Sequence, residues 1–481
     1  MDAIIPTPRP CWIAGEPEQG ESERTVYHPQ DGTDVATIAA PGQAQIERAL
    51  AAAADSRLSE CTDDQRAARL DKLAGLITER AEEIAETITT ECGKPLRWAR
   101  AEVDESAAAA HRAAAEARRA PARARPSEEQ PEADTQLILR HRMPRGPVLA
   151  VTGVTFPFGA AALATAAALA VGAPIVLCPA PHAPLSTLLL GEMLAEADIP
   201  AGGFSVLPVT DEETAQLVAD ARLPVVYSAD DERGPWPFAE GSGRKHTLRA
   251  NGHLVTAAVC GDWPWLRLAA QRIALFGLGQ AASTVRQVFV ERSIAESFRT
   301  ELVNAVHQLN RGDPFDPDVE IGPLIDEATA ERVTLEIENA VHAGAALLAG
   351  GGRDGAQVAP TVLTDVPSSA QLWHGALAGP VLCVRVVDSV DEAFAAINTA
   401  AATGGEPTRD RHVGLFTRDT AIALRAPAEL AVGTVLIGDV ASSGAAGRGV
   451  GQPGLLTAIA EFTEERRLVF RTPLAPVDPA G

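Results

Sequence analysis

The amino-acid sequence predicts an α/β fold in two lobes, each a parallel sheet with helices on both faces. From 148 to 207, short apolar runs alternate with stretches of helical length. Such alternation implies parallel strands joined by crossover helices, the usual scaffold for a nucleotide. A second region of the same kind follows from about Arg249. The chain has 481 residues, and at about 150 residues per domain that leaves room for roughly three folding units.

The first long helix starts after Thr62. Leu70, Leu73, Ile77, Ala81, Ile84 and Ile88 recur at steps of three and four, the period of one buried helix face. Thr62 and Gln65 supply a capping box, and Gly93 with Pro95 stops the helix. An Ala-rich helical run covers 98–117. Pro121, Pro126 and Pro131, set among charges, then predict an exposed connection leading into a strand at 135–142. The alternation proper is a strand at 148–152, a helix at 158–171, a strand at 174–178, a helix at 186–197 and a strand at 204–207. In the second region, strands are predicted at 288–290 and 381–387, and a helix at 294–309 begun by a capping box of Ser293 and Glu296. No internal repeat is visible.

Lys plus Arg number 41 against 64 Asp plus Glu, a formal charge of −23. That charge repels phosphate backbones and anionic lipid, so nucleic-acid and membrane-surface partners are not expected. Only three of the basic residues are lysines, Lys72, Lys94 and Lys245. Twenty aromatics leave the cores to Ala, Val, Leu and Ile, and 46% hydrophobic with 22% charged residues is an ordinary globular balance. Residues 1–10 carry no basic n-region followed by an apolar stretch, so a cytoplasmic location is expected. The most apolar stretch, 156–177, is mainly alanine and is interrupted by Gly172 and Pro174, too weak a signal for a membrane span. Cys11, Cys61, Cys92, Cys178, Cys260 and Cys383 are far apart without C-x-x-C spacing and read as reduced, small hydrophobes.

Two stretches fit a G-x-G-x-x-G/A dinucleotide pattern, Gly277 to Ala282 and Gly449 to Gly454. The first follows a helical run (265–276) instead of a strand, and the second contains Pro453, so neither has the strand–turn–helix context that presents backbone N–H groups to a pyrophosphate. Asp313, Asp316, Asp318 and Glu320 lack EF-hand order and read as Asp-Pro turns. The ten histidines show no H-E-x-x-H or i, i+4 pair, so no metal site is expected.

From about Trp12 to Phe470 the chain resembles the aldehyde dehydrogenase superfamily. Glu91-Cys92-Gly93-Lys94-Pro95 with Ala101-Glu102-Val103 is similar to the family's E-T-G-K-P…E-V, and Ala150 to Pro157 to A-I-T-P-W-N-F-P. Gly279-Gln280, Ile321-Gly322-Pro323-Leu324-Ile325, Pro360-Thr361-Val362-Leu363, Gly379-Pro380-Val381, Leu415-Phe416-Thr417-Arg418-Asp419, Gly433-Thr434-Val435 and Glu461-Phe462-Thr463 follow in order. The resemblance implies a Rossmann-like cofactor lobe at 1–120 and 146–248, a catalytic-type α/β lobe at 249–440, and a small β oligomerisation arm at 121–145 and 455–481.

The positions that carry the family's chemistry differ. The resemblance places the nucleophilic cysteine of G-Q-x-C at Ala282, the oxyanion-holding asparagine of W-N-F-P at Thr155, and the general-base glutamate of L-E-L-G-G at Arg249. Alanine is no nucleophile, and Arg249 accepts no proton near neutral pH. Thr155 offers a hydrogen bond from a shorter side chain, and loss of one oxyanion donor typically costs roughly 10²- to 10³-fold in rate. Ser283, beside Ala282, is a candidate displaced nucleophile without a placed base. The lysine and glutamate of K-P-S-E, which hold the adenosine ribose, stand at Cys178 and Pro181. The pyrophosphate loop F-T-G-S-T-x-x-G reads Tyr227 to Gly234, with Asp230, Asp231 and Glu232 where a diphosphate requires a helix N-terminus free of negative charge. The nicotinamide-ribose glutamate and the aromatic residue of E-E-I-F-G-P are Ala376 and Ala378.

These differences predict a family member without NAD(P)-dependent aldehyde oxidation and without NAD or NADP as cofactor: a structural or regulatory pseudoenzyme, a homo-oligomer or a partner of an active paralogue. The competing expectation is an enzyme of this fold with a remodelled site and another substrate.

Overall fold

The computed structural model describes residues 8–119, 123–126, 136–229, 245–249, 254–280, 284–374, 379–403, 411–440 and 454–471. The chain begins with the strands β1 (Cys11–Ile13), β2 (Glu16–Glu18), β3 (Ser22–Tyr27) and β4 (Asp34–Ala40) and the helices α1 (Gln43–Ala54), α2 (Asp63–Glu79), α3 (Ala81–Cys92) and α4 (Leu96–Arg118). Then come β5 (Arg123–Pro126), β6 (Gln136–Pro144), β7 (Val148–Thr152), α5 (Pro157–Val171), β8 (Ile175–Cys178), α6 (Leu185–Glu196), β9 (Phe204–Val206), α7 (Asp211–Ala219), β10 (Val225–Ala229) and β11 (His246–Arg249). The second lobe runs β12 (Leu254–Val259), α8 (Leu266–Leu278), β13 (Thr284–Glu291), α9 (Ala295–His307), α10 (Glu327–His342), β14 (Ala346–Ala349), β15 (Arg353–Asp354), β16 (Gln357–Val358), β17 (Thr361–Thr364), β18 (Val381–Val387), α11 (Val390–Thr403), β19 (His412–Phe416), α12 (Thr420–Glu429) and β20 (Thr434–Ile437). The helix α13 (Leu455–Glu461) and β21 (Thr463–Arg471) return to the first lobe and the arm.

Each lobe holds one seven-stranded sheet, ordered β11-β10-β7-β8-β9-β1-β2 in the first and β14-β17-β18-β13-β12-β19-β20 in the second. The apolar runs read from the sequence are continuous because both sheet faces are covered. In β7, Val148 and Ala150 enter one core while Leu149 and Val151 enter another; β8 divides Ile175 and Leu177 from Val176 and Cys178 in the same way. In β18, Leu382 and Val384 point one way, and Val381 and Cys383 the other. Helix α5 is buried from Pro157 to Ala170, and its alanines let neighbouring helices approach closely in a chain short of large side chains. Among the described residues no helix is long and apolar enough to cross a membrane.

The expected helix after Thr62 is two helices. Its capping box forms, with Gln65 N–H donating to Thr62 Oγ1 at 3.2 Å and Gly93 ending α3 at φ 70°, but Arg80 (φ −98°, ψ 20°) breaks the run between α2 and α3. Arg80 is held there by Glu83 and by Glu192 of α6. The bend turns Ile84 and Ile88 onto the same core as Leu70 and Ile77. The capping box expected from Ser293 and Glu296 does not form: α9 starts one residue later, with Ile294, whose side chain accepts no bond, as the N-cap, and the Ser293 hydroxyl lies against Gly261. Arg249 belongs to the first sheet, because β11 runs through it beside β10.

The arm is the three-stranded sheet β21-β6-β5, with β21 and β6 antiparallel from Thr463↔Pro144 to Arg471↔Gln136. Phe462 fixes its root. That ring is fully buried and meets Tyr227 edge-on at 6.4 Å, and its carbonyl accepts from Arg145 N–H at 3.0 Å. Phe462→Ala is expected to cost about 3–5 kcal/mol of stability, read as a lowered urea midpoint with unchanged m-value; a shift below about 1 kcal/mol contradicts the role given to this ring.

Candidate functional site

The strand order β9-β8-β7-β10-β11 reverses direction between β7 and β10, and in open α/β sheets ligands bind outside the carboxyl ends of the strands at such a point. Register aligns Val151 of β7, Ser228 of β10 and Arg249 of β11. Arg249 therefore ends its strand at the level of the loop after β7, two strands away. Thr155 lies on that loop and is exposed. Two of the three positions matched to the family's reaction chemistry thus share one edge of one sheet.

The first turn of α5 opens beside Thr155, but its N–H groups are already used. Glu102, fully buried, accepts from Phe158 N–H at 3.1 Å and Gly159 N–H at 2.8 Å and also pairs with buried Lys94. Lys94 in turn lies 4.9 Å from the centre of the Phe156 ring. The helix end that could stabilise an anion is filled by the protein's own carboxylate.

The third position, Ala282, and the candidate Ser283 lie outside the described residues, as do Asp230, Ala376 and Ala378. Their flanks are described. Gln280 is locked on both sides of its amide, donating to Pro323 O at 2.8 Å and accepting from Gly322 N–H at 3.0 Å. Arg286 donates to Gly379 O, the residue after 375–378.

No cysteine is poised to replace the one absent at 282. Cys260 ends β12, and Cys383 sits in β18 opposite Leu363 and Gln287; both are buried, and burial pushes both thiols up to about 12. Burial likewise lifts Cys11 to about 11 and Cys92 to about 12. Cys178 is fully buried at the end of β8, and Cys61 is half-buried beyond the far end of α5, against the start of α2. The thiolate is the nucleophile, and Cys11, Cys92, Cys260 and Cys383 stay protonated near pH 7. The lysines are engaged as well: Lys94 with Glu102, Lys72 with Asp198 at 2.6 Å, and Lys245 with the carbonyls of Val218 and Asp220 at the end of α7.

The cofactor positions on β8 do not fit a dinucleotide. Cys178 and Ala180 are buried, and Pro181 carries no donor. The sequence reading missed His182, the one exposed polar side chain between β8 and α6; a lone histidine in a Pro-Ala-Pro-His turn gave no signal. The acidic stretch is a pair of turns, with Asp313 accepting from Phe315 N–H and Asp316 from Asp318 N–H, both at 2.9 Å. Among the described residues no cluster is arranged to hold a metal.

The sequence model of the aldehyde dehydrogenase family matches residues 15–227 and 266–464. The chain belongs to the aldehyde dehydrogenase family. The unmatched interval, 228–265, contains Asp230 to Glu232 and Arg249. The chain is 28% identical over 473 residues to 3-sulfolactaldehyde dehydrogenase of Priestia aryabhattai, covering 95% of this chain and 97% of that one. To betaine aldehyde dehydrogenase of Cereibacter sphaeroides it is 29% identical over 489 residues, covering 97% and 98%. In structure it is similar to aldehyde dehydrogenase 21 of Physcomitrella patens in complex with succinate, with TM-score 0.88 and 28% identity over 97% of this chain and 99% of that one. The α/β, aldehyde dehydrogenase-like fold is therefore established.

The buried thiols of this aldehyde dehydrogenase family member make a direct test possible. Brief treatment of native protein with a thiol reagent at pH 8 is expected to label Cys61 at most, with the other five reacting only on unfolding, as read by peptide mass spectrometry. Fast native labelling of Cys178, Cys260 or Cys383 contradicts the assignment of these thiols to the core.

Proposed function

We propose that this chain is a cytoplasmic, non-catalytic member of the aldehyde dehydrogenase family, retained as a structural or regulatory partner. The observation that carries the reading is the absence of any thiol to do the chemistry: position 282 is alanine, and the cysteines elsewhere are committed to cores or lie away from the cleft. Loss of a catalytic nucleophile costs on the order of 10⁶-fold in the best-studied hydrolase, and here Arg249 has also replaced the general base. The cofactor side agrees. Cys178 and Pro181 cannot bind two ribose hydroxyls, and Ala376 and Ala378 offer no polar or aromatic contact. The segment after β10 sets Asp230, Asp231 and Glu232 before Gly234, Pro235 and Pro237, a composition that opposes both a helix and a bound diphosphate.

The purified protein is expected to show no NAD- or NADP-dependent oxidation of aliphatic, aromatic or sulfonated aldehydes above background, and no calorimetric binding of either nucleotide at micromolar concentration. Turnover abolished by Ser283→Ala would locate a displaced nucleophile and overturn the reading. Installing Ala282→Cys, Arg249→Glu and Thr155→Asn together is expected to leave activity far below that of a working dehydrogenase, because the ribose contacts stay absent; near-normal activity in that variant refutes the cofactor argument.

A second reading, an enzyme with a remodelled site, is favoured by one observation: a guanidinium-bearing residue and the exposed hydroxyl of Thr155 occupy the same sheet edge. Arginine is suited to anionic groups, and relatives named for sulfolactaldehyde and sulfoacetaldehyde act on anionic aldehydes. Turnover of an anionic carbonyl compound without added nucleotide, lost in Arg249→Ala, supports it.

We also propose that the protein assembles with a second copy or with an active paralogue through its arm. The outer edge of β21 carries no partner strand among the described residues, and Leu468 and Val469 of that strand are exposed; such an edge invites pairing unless it is covered. Light scattering is expected to give at least twice the chain mass of 50.2 kDa, reduced when the chain is ended at Arg467. A monomer at micromolar concentration refutes the self-assembly proposal.

A further inference from the structure

Away from the cleft edge, a second buried carboxylate shares the interior of the first lobe with the Lys94–Glu102 pair. Glu91, near the end of α3, has none of its surface exposed. Its oxygens accept the main-chain N–H groups of Leu185 and, at 3.1 Å, Ser186, which open α6. Glu102 does the same for α5. The two carboxyl groups lie within electrostatic reach of each other, and the one ammonium bonded to either of them is paired with Glu102. With both carboxylates ionised, the cluster holds one uncompensated negative charge in the interior, an arrangement proteins avoid by taking up a proton.

The surrounding charges do not remove this excess. Lys94 is the only cation paired with either carboxylate among the described residues. Cys92, beside Glu91, is a protonated thiol. Glu105 of α4 adds negative charge toward Glu102, partly balanced by Arg112, and burial raises its own carboxyl. On α6, Glu192 and Glu196 pair with Arg80 at the opposite end of α3.

We infer that Glu91 holds a proton in the native protein near neutral pH, and that releasing it leaves an unpaired charge buried between α3 and α6, giving the first lobe a built-in pH response. Burial first, and then the charge of Glu102, push the Glu91 carboxyl up to about 7 against the opposing bonds from Ser186 and Leu185. The native group thus binds its proton more tightly than the unfolded one. The stabilisation is full below the unfolded value of 4.5 and is lost as pH rises through about 7. His412 in the second lobe works in the other direction, since burial lowers it to about 4 and its contribution grows as pH rises toward 6.5. The pH dependence of the whole protein therefore mixes the two, and only a comparison isolates Glu91.

The test is urea unfolding of the full chain between about pH 5 and pH 8, for the wild type and for Glu91→Gln. The unfolding constant of the wild type relative to the variant is expected to rise on the order of a hundredfold across that range, each pKa unit being tenfold. A ratio that does not change with pH overturns the inference, whatever the absolute stability of the variant. Should Glu91→Gln fail to fold, infrared spectroscopy of a Glu105→Gln protein replaces it. A carboxylic acid C=O band present near pH 5.5 and lost as pH rises through 7 supports the assignment, and its absence at pH 5.5 overturns it.

Discussion

Two carboxylates that never meet water fix where the central helices of the first lobe begin. Glu102 holds the first turn of α5 and Glu91 the first turn of α6, while both side chains come from the α3–α4 corner closed by Gly93 and Pro95. Helix N-termini leave four unpaired N–H groups each, and deep in a core those groups need a partner. Once α5 is anchored, the loop before it has a fixed exit, β7 and β8 are held beside it, and the carboxyl edge of the sheet stands where Thr155 and Arg249 are found. The cleft is shaped by a brace that takes no part in any reaction there.

On the proposed reading, that division lets the chain keep the family's frame while the positions matched to its chemistry differ. The side chains that persist are those whose loss would bury an unmet polar group or open a void: Lys94, Glu102, Gln280, Phe462. Arg249, Thr155, Cys178 and Pro181 stand at strand ends or in loops, where replacement costs the fold little. Cys178 shows the asymmetry. Its thiol is fully buried at the end of β8, where a longer polar side chain would have to reach out.

Much of this frame was legible in the sequence. Period and capping gave α4, α5, α6 and the start of α2 to within a few residues, since Gly93, Gly172 and the Thr62 capping box are unambiguous punctuation. The division at Arg80 was not legible, because the apolar period continues through it and the bend is held partly by acidic residues of α6, distant in sequence. The strands β1 to β4 and the helix α10 were missed: β1 is three residues long and joins its sheet through a single register pair, Trp12↔Val206, and a surface ribbon such as β3–β4 has no strong alternation. At the candidate site, residue identities were readable and residue environments were not. No pattern in the sequence reveals that Glu102 fills the α5 terminus, or that His182 is the polar group left facing out beyond β8.

The seam between the lobes is made of backbone in near contact. A Cβ placed on Gly322 would stand 2.1 Å from the Gly93 carbonyl oxygen, and one on Gly93 would stand 2.7 Å from the Pro323 ring. Leu96 N–H bonds to Pro314 O at 2.8 Å just beside it. Side chains of α4 cross the same seam, with Trp98 edge-on to Phe276 and Arg97 paired with Glu320, so the close backbone approach is clamped from beside. A side chain gained at Gly93 or Gly322 would push the lobes apart, whereas exposed Thr155 stands clear of the backbone contacts that set their spacing.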